Sequence, residues 1–386
     1  AAPPALEGGN CGGRLLKISE KLWLGKLVTP LPDRHRPVYN WFTMKESFSR
    51  ELVLLLADTW GLAEGDLVLD PFCGTGTTPL ACRELGLDCI GYDVHPVLLL
   101  AARVKLRDYD AVRLKEEVAD FLKQEFAGRE AEAPGFVARV FPRAILEEVV
   151  SVRQRILELK DEATREFLLL GLATAAMRCS WAHKDGAAIK VAKRLVPPLL
   201  PELGRQLRRM CGDIEKFRAK SSRVGVEFCD ARRMNLPDDR VDAVITSPPY
   251  LGKTEYFSAY RIEQWLMGLE GPRPNDLIGC GESGDFSEIV DLLGDKPQES
   301  WSYFQDLFAV IKEIRRVCKM GANICLVVSD GCFSSGPVEV CQTLGLLAER
   351  AGLRAKSLVI VNRRYCTTPT RKKLGITREG LLIWNN

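Results

Sequence analysis

The stretch "DLVLDPFCGTGTTPLACRELGLDCIGYD", residues 66–93, decides the fold. It opens with an apolar run, "DLVLD", suited to a buried strand and closed by a turn holding Gly74 and Gly76. An apolar helical pattern over 78–86 follows, and then a second strand-like run, "DCIGYD", over 88–93. Strand, helix and strand in that succession predict a βαβ unit, and strands alternating with helices imply a parallel sheet.

Outward from this unit the pattern changes. Helical spacing over 46–60 precedes it, whereas from about 97 to 220 only helical periodicity is legible, as in "AILEEVVSVRQRILELK" and "LLPELGRQLRRMCGDIEKF". Strands resume at "GVEFCD", 225–230, and "VDAVITS", 241–247. A βαβ unit needs roughly 30 residues, so the long helical stretch predicts an insertion. Beyond it come an aromatic and Gly-rich region, a short helix near "YRIEQWLMG", a helix in "YFQDLFAVIKEIRRVC", a strand in "ANICLVVSD", a helix over 338–351, and closing strands in "KSLVIVNRR" and "REGLLIWNN". The expected organisation is a flexible segment over 1–34, an α/β domain formed by 35–104 and 222–386, and a helical insertion over 105–221.

The Gly-rich turn lies after a strand and before a helix, where missing Cβ atoms let a ligand approach the backbone. A dinucleotide fingerprint would want a third glycine where Pro79 stands, so nicotinamide cofactors are disfavoured. Asp93, at the end of the second strand, is placed to accept both hydroxyls of a ribose. Asp230 follows the strand "VEFC" in the same way, near where an adenine amino group would lie. These features fit a cofactor that carries a nucleoside without a pyrophosphate.

Further on, "VDAVITSPPYLGKTEYF" (241–257) ends a strand in two prolines between a hydroxyl pair and a tyrosine. Pro248 and Pro249 have no N–H and fixed φ, so the carbonyls of Ser247 and Pro248 form a rigid, donor-free corner, and Tyr250 offers a ring face. Such a corner suits an exocyclic base nitrogen, whose N–H groups need acceptors because its lone pair is delocalised into the ring. Base stacking on a tyrosine is worth about 1–3 kcal/mol.

"DPFCGTGTT" followed by "TSPPY" resembles the S-adenosylmethionine-dependent DNA amino methyltransferases, which modify cytosine N4 or adenine N6. "HRPVYNWFTMKESFSRELV" (35–53) is similar to the segment that closes over the methionine end of the cofactor there. The resemblance covers roughly 35–105 and 223–385 and implies a Rossmann-like, mostly parallel, doubly wound α/β fold with a large helical insertion. It implies S-adenosylmethionine held by Asp70, Pro71, Phe72, Gly74, Gly76, Thr77, Asp93, Asp230 and Ala231, and catalysis by Ser247, Pro248, Pro249 and Tyr250. Double-stranded DNA is the implied substrate, and a cognate restriction endonuclease and a homodimer are compatible partners. Serine, rather than Asp or Asn, before Pro-Pro-Tyr associates the chain with cytosine N4. Adenine N6, and an RNA methyltransferase acting on guanine N2, are the alternatives. The C5-cytosine reaction needs a cysteine nucleophile, and no Pro-Cys stands at this corner.

Composition bounds the rest. The chain has 386 residues and a net charge of +3, so no global field demands nucleic acid. Charge is uneven, however: Arg178–Lys220 holds eleven Lys/Arg against four Asp/Glu, and "NRRYCTTPTRKK" over 362–373 is a second basic run. Lys190, Lys193, Arg194, Arg205, Arg208 and Arg209 therefore make the insertion a candidate DNA-gripping arm, with 251–300, including Tyr256, Phe257 and Tyr260, as the alternative. Thirteen cysteines without a CxxC pair, and His35, His95 and His183 far apart, give no zinc spacing and predict reduced thiols. No run of about 18 apolar residues and no charged or apolar leader in "AAPPALEGGNCGG" predict a cytoplasmic protein without a membrane partner.

Overall fold

The computed structural model describes residues 16–126, 132–185, 188–252, 256–271, 273, 277–281, 284–294, 296–367 and 372–386; the side chains of Asp185, Ala188, Tyr256 and Phe257 lie outside the description. Its strands are β1 (Lys17–Glu20), β2 (Leu67–Asp70), β3 (Asp88–Asp93), β4 (Ala182–Asp185), β5 (Ala188–Val191), β6 (Val224–Phe228), β7 (Val241–Thr246), β8 (Cys318–Ser329), β9 (Gly331–Phe333), β10 (Gly336–Val338), β11 (Arg354–Thr367) and β12 (Lys373–Asn385). Eight of them form one sheet in the order β1-β11-β12-β8-β7-β2-β3-β6. Every neighbouring pair is parallel except those that involve β12.

The parallel half follows from sequence. β2 and β7 read as near-continuous apolar runs because helices cover both faces, and Val68, Leu69, Ala243, Val244 and Ile245 have no exposed surface. From β2 the chain passes through helix Thr77–Leu85 to its neighbour β3 and then to the edge strand β6. It returns to β7 on the other side of β2, so the order of connection reverses between β2 and β7. In open α/β sheets ligands bind in the crevice at such a reversal, outside the carboxyl ends of the strands. Thr246 Oγ1 donates to Asp70 Oδ1 at 2.6 Å across that point and ties the two strand ends together.

The insertion is built mainly from helices Ala111–Leu122, Arg143–Leu157, Glu162–Arg178 and Leu199–Ile214. Their apolar faces share one core with helix Pro96–Leu106, with Tyr39, Trp41 and Phe42 ahead of the sheet, and with Ile262 and Leu266 after the Pro-Pro-Tyr corner. Trp41 packs edge-on against Phe167 at 5.5 Å and donates from Nε1 to Asp213 at 3.2 Å. The insertion is thus seated on the segments that flank the carboxyl ends of β2 and β7.

Four expectations are corrected. The insertion is not wholly helical, because β4 and β5 form an antiparallel hairpin. The segment expected to be flexible over 1–34 is, in its described part, bonded into the sheet: β1 runs parallel to β11, and Leu24 is fully buried. Residues 1–15 lie outside the described residues. The cysteines are not all thiols, since Cys332 on β9 and Cys366 on β11 form a disulfide with Cα atoms 5.3 Å apart. Finally, the helix expected from 46 begins at Arg50. Among the described residues no helix is long and apolar enough to cross a membrane, and no group of three or more His, Cys, Asp or Glu could hold a metal ion.

Candidate active site

An open-sided cavity lies at the β2/β7 reversal. The turn after β2 contributes Pro71, Phe72 and Gly74; the end of β3 contributes Asp93, Val94 and His95; the corner after β7 contributes Ser247, Pro248, Pro249 and Tyr250. Cys229 and Ala231, after β6, and Met44 and Glu46, from the segment before the first long helix, close the remaining walls. With Leu277 and Ile278 also on its wall, the cavity joins residues up to 234 positions apart in sequence.

Gly74 has φ +51°, a backbone conformation that glycine adopts without strain, and a Cβ there would come within 3.3 Å of the Met44 sulfur. Its N–H donates to Asp93 Oδ2 at 2.9 Å, while Asp93 Oδ1 accepts from the His95 N–H at 2.8 Å. The carboxylate thus fixes the Gly-rich turn and the start of the next helix at once. Burial pushes the Asp93 carboxyl above its usual pKa, against the backbone N–H groups that pull it down. These residues fit the adenosine part of S-adenosylmethionine: a glycine cradle that a Cβ would fill, beside a carboxylate that retains accepting lone pairs.

The structure separates the expected cofactor residues. Pro71, Phe72, Gly74, Asp93 and Ala231 line the cavity, whereas Asp70, Gly76, Thr77 and Asp230 do not. Asp70 is buried beneath the turn as the acceptor for Thr246, and burial raises its pKa to about 6. Gly76, with φ +84°, caps helix Thr77–Leu85, and a Cβ on it would stand 3.0 Å from that of Ala102; it serves helix packing. The Asp230 carboxylate is held by Arg232, which also bonds Asp306 at 3.0 Å. All four expected catalytic residues lie on the cavity wall.

The corner is braced by distant tyrosine and glutamate side chains. The Tyr303 hydroxyl donates to the Pro249 carbonyl at 3.0 Å, and the Tyr250 hydroxyl donates to Glu379 Oε1 on β12 at 3.0 Å. The carbonyls of Ser247 and Pro248 accept from no described residue, so two rigid acceptors remain on this wall.

Sequence reasoning passed over two polar groups here. His95 is 4% exposed, lines the cavity, has no partner for either ring nitrogen among the described residues, and packs edge-on against Tyr260 at 5.4 Å. Burial, with Lys184 nearby, lowers its pKa to about 4, so the ring is neutral. Its position two residues past Asp93, at a strand-to-helix junction, was the available signal. The other is Lys105, a buried cation in the largely apolar helix "PVLLLAARVKL". Its buried ammonium donates to Phe42 O at 2.7 Å and Thr75 O at 3.1 Å, joining the segment before the first long helix to the Gly-rich turn.

Burial lowers the Lys105 pKa from 10.5 to about 7. Between those values the unfolded chain binds a proton that the folded chain does not, so this residue makes stability rise with pH across that window. In Lys105→Met that contribution disappears. Chemical melts at pH 7 and pH 9 should show the wild type gaining about 2 kcal/mol on the variant as pH rises, from roughly 1.36 kcal/mol per pH unit of proton linkage. A constant difference would contradict the assignment.

Residues 45–103, which contain the Gly-rich turn, Asp93 and His95, match the DNA methylase family. Over that segment the chain is similar to the DNA methylases. It is 26% identical to the type II methyltransferase M.BsoBI of Geobacillus stearothermophilus over 447 aligned positions, covering 93% of this chain and 87% of that protein. To M.AvaI of Nostoc it is 22% identical, over 93% of this chain and 88% of the relative. A shorter match, 45% over 60 residues, joins it to M.MjaII of Methanocaldococcus jannaschii, covering 16% of this chain and 11% of that one. The two long alignments cover enough of this chain to include the helical insertion as well as the sheet.

Proposed function

We propose that the chain methylates an exocyclic amino group of a base in double-stranded DNA, with S-adenosylmethionine as donor and cytosine N4 as the favoured acceptor. The supporting observation is the convergence of the Gly74 turn, Asp93 and the Ser247–Tyr250 corner on one cavity at the strand reversal. The DNA methylase match and the type II methyltransferase relatives support DNA as the substrate. Ser247 at the head of the corner supports cytosine.

When bound, S-adenosylmethionine supplies an electrophilic methyl group on its sulfonium. Asp93 would hold the ribose hydroxyls, Gly74 would let the nucleoside approach the backbone, and Phe72 would add an apolar wall. The carbonyls of Ser247 and Pro248 accept the N–H bonds of the amino group and restrict its rotation, and the Ser247 hydroxyl is a further acceptor. The ring of Tyr250 stacks on the extruded base, its hydroxyl anchored by Glu379. The amino nitrogen would take the methyl as the methyl's bond to sulfur breaks, leaving a neutral thioether, and would give up one N–H proton, which passes from these acceptors to solvent. No thiolate takes part. Cys229, the cysteine on the cavity wall, has its pKa raised by burial and keeps its proton.

A cognate restriction endonuclease is the partner this reading implies. The base is identified by treating DNA with the protein and methyl-labelled cofactor, digesting it to nucleosides and separating them. N4-methylcytosine is the expected product. N6-methyladenine would reassign the base, and label entering only RNA would overturn the reading.

A further inference from the structure

We infer that the two-stranded ribbon formed by the outer parts of β11 and β12 contacts the DNA duplex beside the target base; this rests on the function proposed above. β12 pairs with β8 from Asn385 to Glu379, where β8 ends at Ser329. Beyond that point β11 and β12 continue with each other alone, from Arg363↔Arg378 to Thr367↔Lys373. β8 is parallel to β7, so the ribbon leaves the sheet on the side of the carboxyl ends, where the cavity opens. Its base adjoins the corner, because Glu379 accepts from Tyr250 and Asn362 donates to Glu379 at 3.2 Å.

The ribbon's chemistry fits a polyanion. Residues 362–378 contain six Lys/Arg and no Asp/Glu. Tyr365 and Ile376 are direct cross-strand partners, and both are exposed, at 61% and 50%. The Lys373 ammonium lies 3.9 Å above the Tyr365 ring, and the Arg364 side chain is 67% exposed with a 3.5 Å approach to Glu379. Cations around a small exposed apolar face suit phosphates flanking a groove, and a two-stranded ribbon is an element the major groove admits.

The ribbon is also held in place. Cys366 joins it to Cys332 on the β9–β10 hairpin, and Gly375 lies so close to Pro337 that a Cβ would meet its ring at 2.8 Å. Arg363 of the ribbon is paired with Glu20, and Arg378 with Asp330 and Glu339; several basic side chains of the insertion are paired as well. Arg178 and Arg205 are paired with Glu202, Lys184 with Glu263, and Arg209 with Gln206, while Arg194 donates to the Ser180 carbonyl. Arg208 lines a separate cleft with Lys115 and Lys123.

Fluorescence anisotropy with a labelled DNA duplex over a series of salt concentrations tests the inference. Neutralising Arg364, Lys372 and Lys373 to Gln together should weaken duplex binding by about tenfold or more and reduce the log–log salt slope by about 0.9 for each phosphate that is no longer neutralised. S-adenosylmethionine affinity, measured by calorimetry, should not change. Tyr365→Ala should weaken binding with the slope retained, since it removes no charge. If the triple variant melts at a lower temperature, Lys373→Gln alone carries the slope test. A wild-type slope and affinity in the neutralised protein, with wild-type methylation intact, would overturn the ribbon's role alone. A wild-type protein that binds the cofactor but neither binds nor methylates duplex DNA would overturn the ribbon together with the function it rests on.

Discussion

Asp93→Ala is expected to weaken S-adenosylmethionine binding by at least about a hundredfold. The carboxylate is placed to accept two ribose hydroxyls, each such charge-assisted bond contributing about 1.5–3 kcal/mol. It also accepts the N–H groups of Gly74 and His95, so its removal frees both sides of the cradle. Asp93→Asn keeps the size of the side chain but replaces one acceptor by a donor, and it should fall between wild type and alanine. Burial raises the pKa of this carboxyl. Binding that needs its charged form therefore fades at a higher pH than for an ordinary aspartate as the solution is acidified. Calorimetry of the three proteins at two pH values checks both statements. Equal affinities would remove Asp93 from the cofactor site.

The second large effect concerns rate. Tyr250→Ala should lower methylation turnover by about ten- to a hundredfold, the equivalent of 1–3 kcal/mol of lost stacking, with little change in cofactor affinity. Tyr250→Phe retains the ring and loses the hydroxyl bond to Glu379, so it should remain much more active. Ser247→Ala should also act on turnover rather than on cofactor affinity. The discriminating measurement is single-turnover methylation beside cofactor titration for each variant. Near-normal turnover in both alanine variants would make the corner purely structural.

The sheet was legible where the pattern was local. "DCIGYD" is the strand Asp88–Asp93, and "VDAVITS" contains Val241–Thr246, because buried parallel strands are continuous apolar runs bounded by turns. The hairpin at 182–191 was missed because its strands are four residues each and barely alternate; the Asp185–Gly186 pair was the turn signal that could have found it. β1 had no local signal, since its place depends on an edge of β11 more than 330 positions away.

The site shows the same division. Motif spacing put the turn, Asp93 and the corner at strand ends, and the structure brings all three to one cavity. It could not tell that Gly76 faces Ala102, that Asp70 lies beneath the turn, or that Arg232 holds Asp230, because those directions depend on side chains brought together only by folding. Tyr303 and Glu379, 54 and 129 positions from their partners in the corner, were beyond any local pattern.

On the function proposed above, the bond from Tyr303 to the Pro249 carbonyl would limit how often the chemistry can repeat on one base. With that oxygen occupied, the main-chain acceptors left at the corner are those of Ser247 and Pro248, a match for an amino group with two hydrogens. A base that has received one methyl keeps a single N–H. If it stayed or returned, one of the two oxygens would be left unsatisfied in a desolvated place, which costs about 1–3 kcal/mol. The enzyme would therefore bind its own product less well than its substrate, release it without a dedicated step, and stop at the monomethylated base.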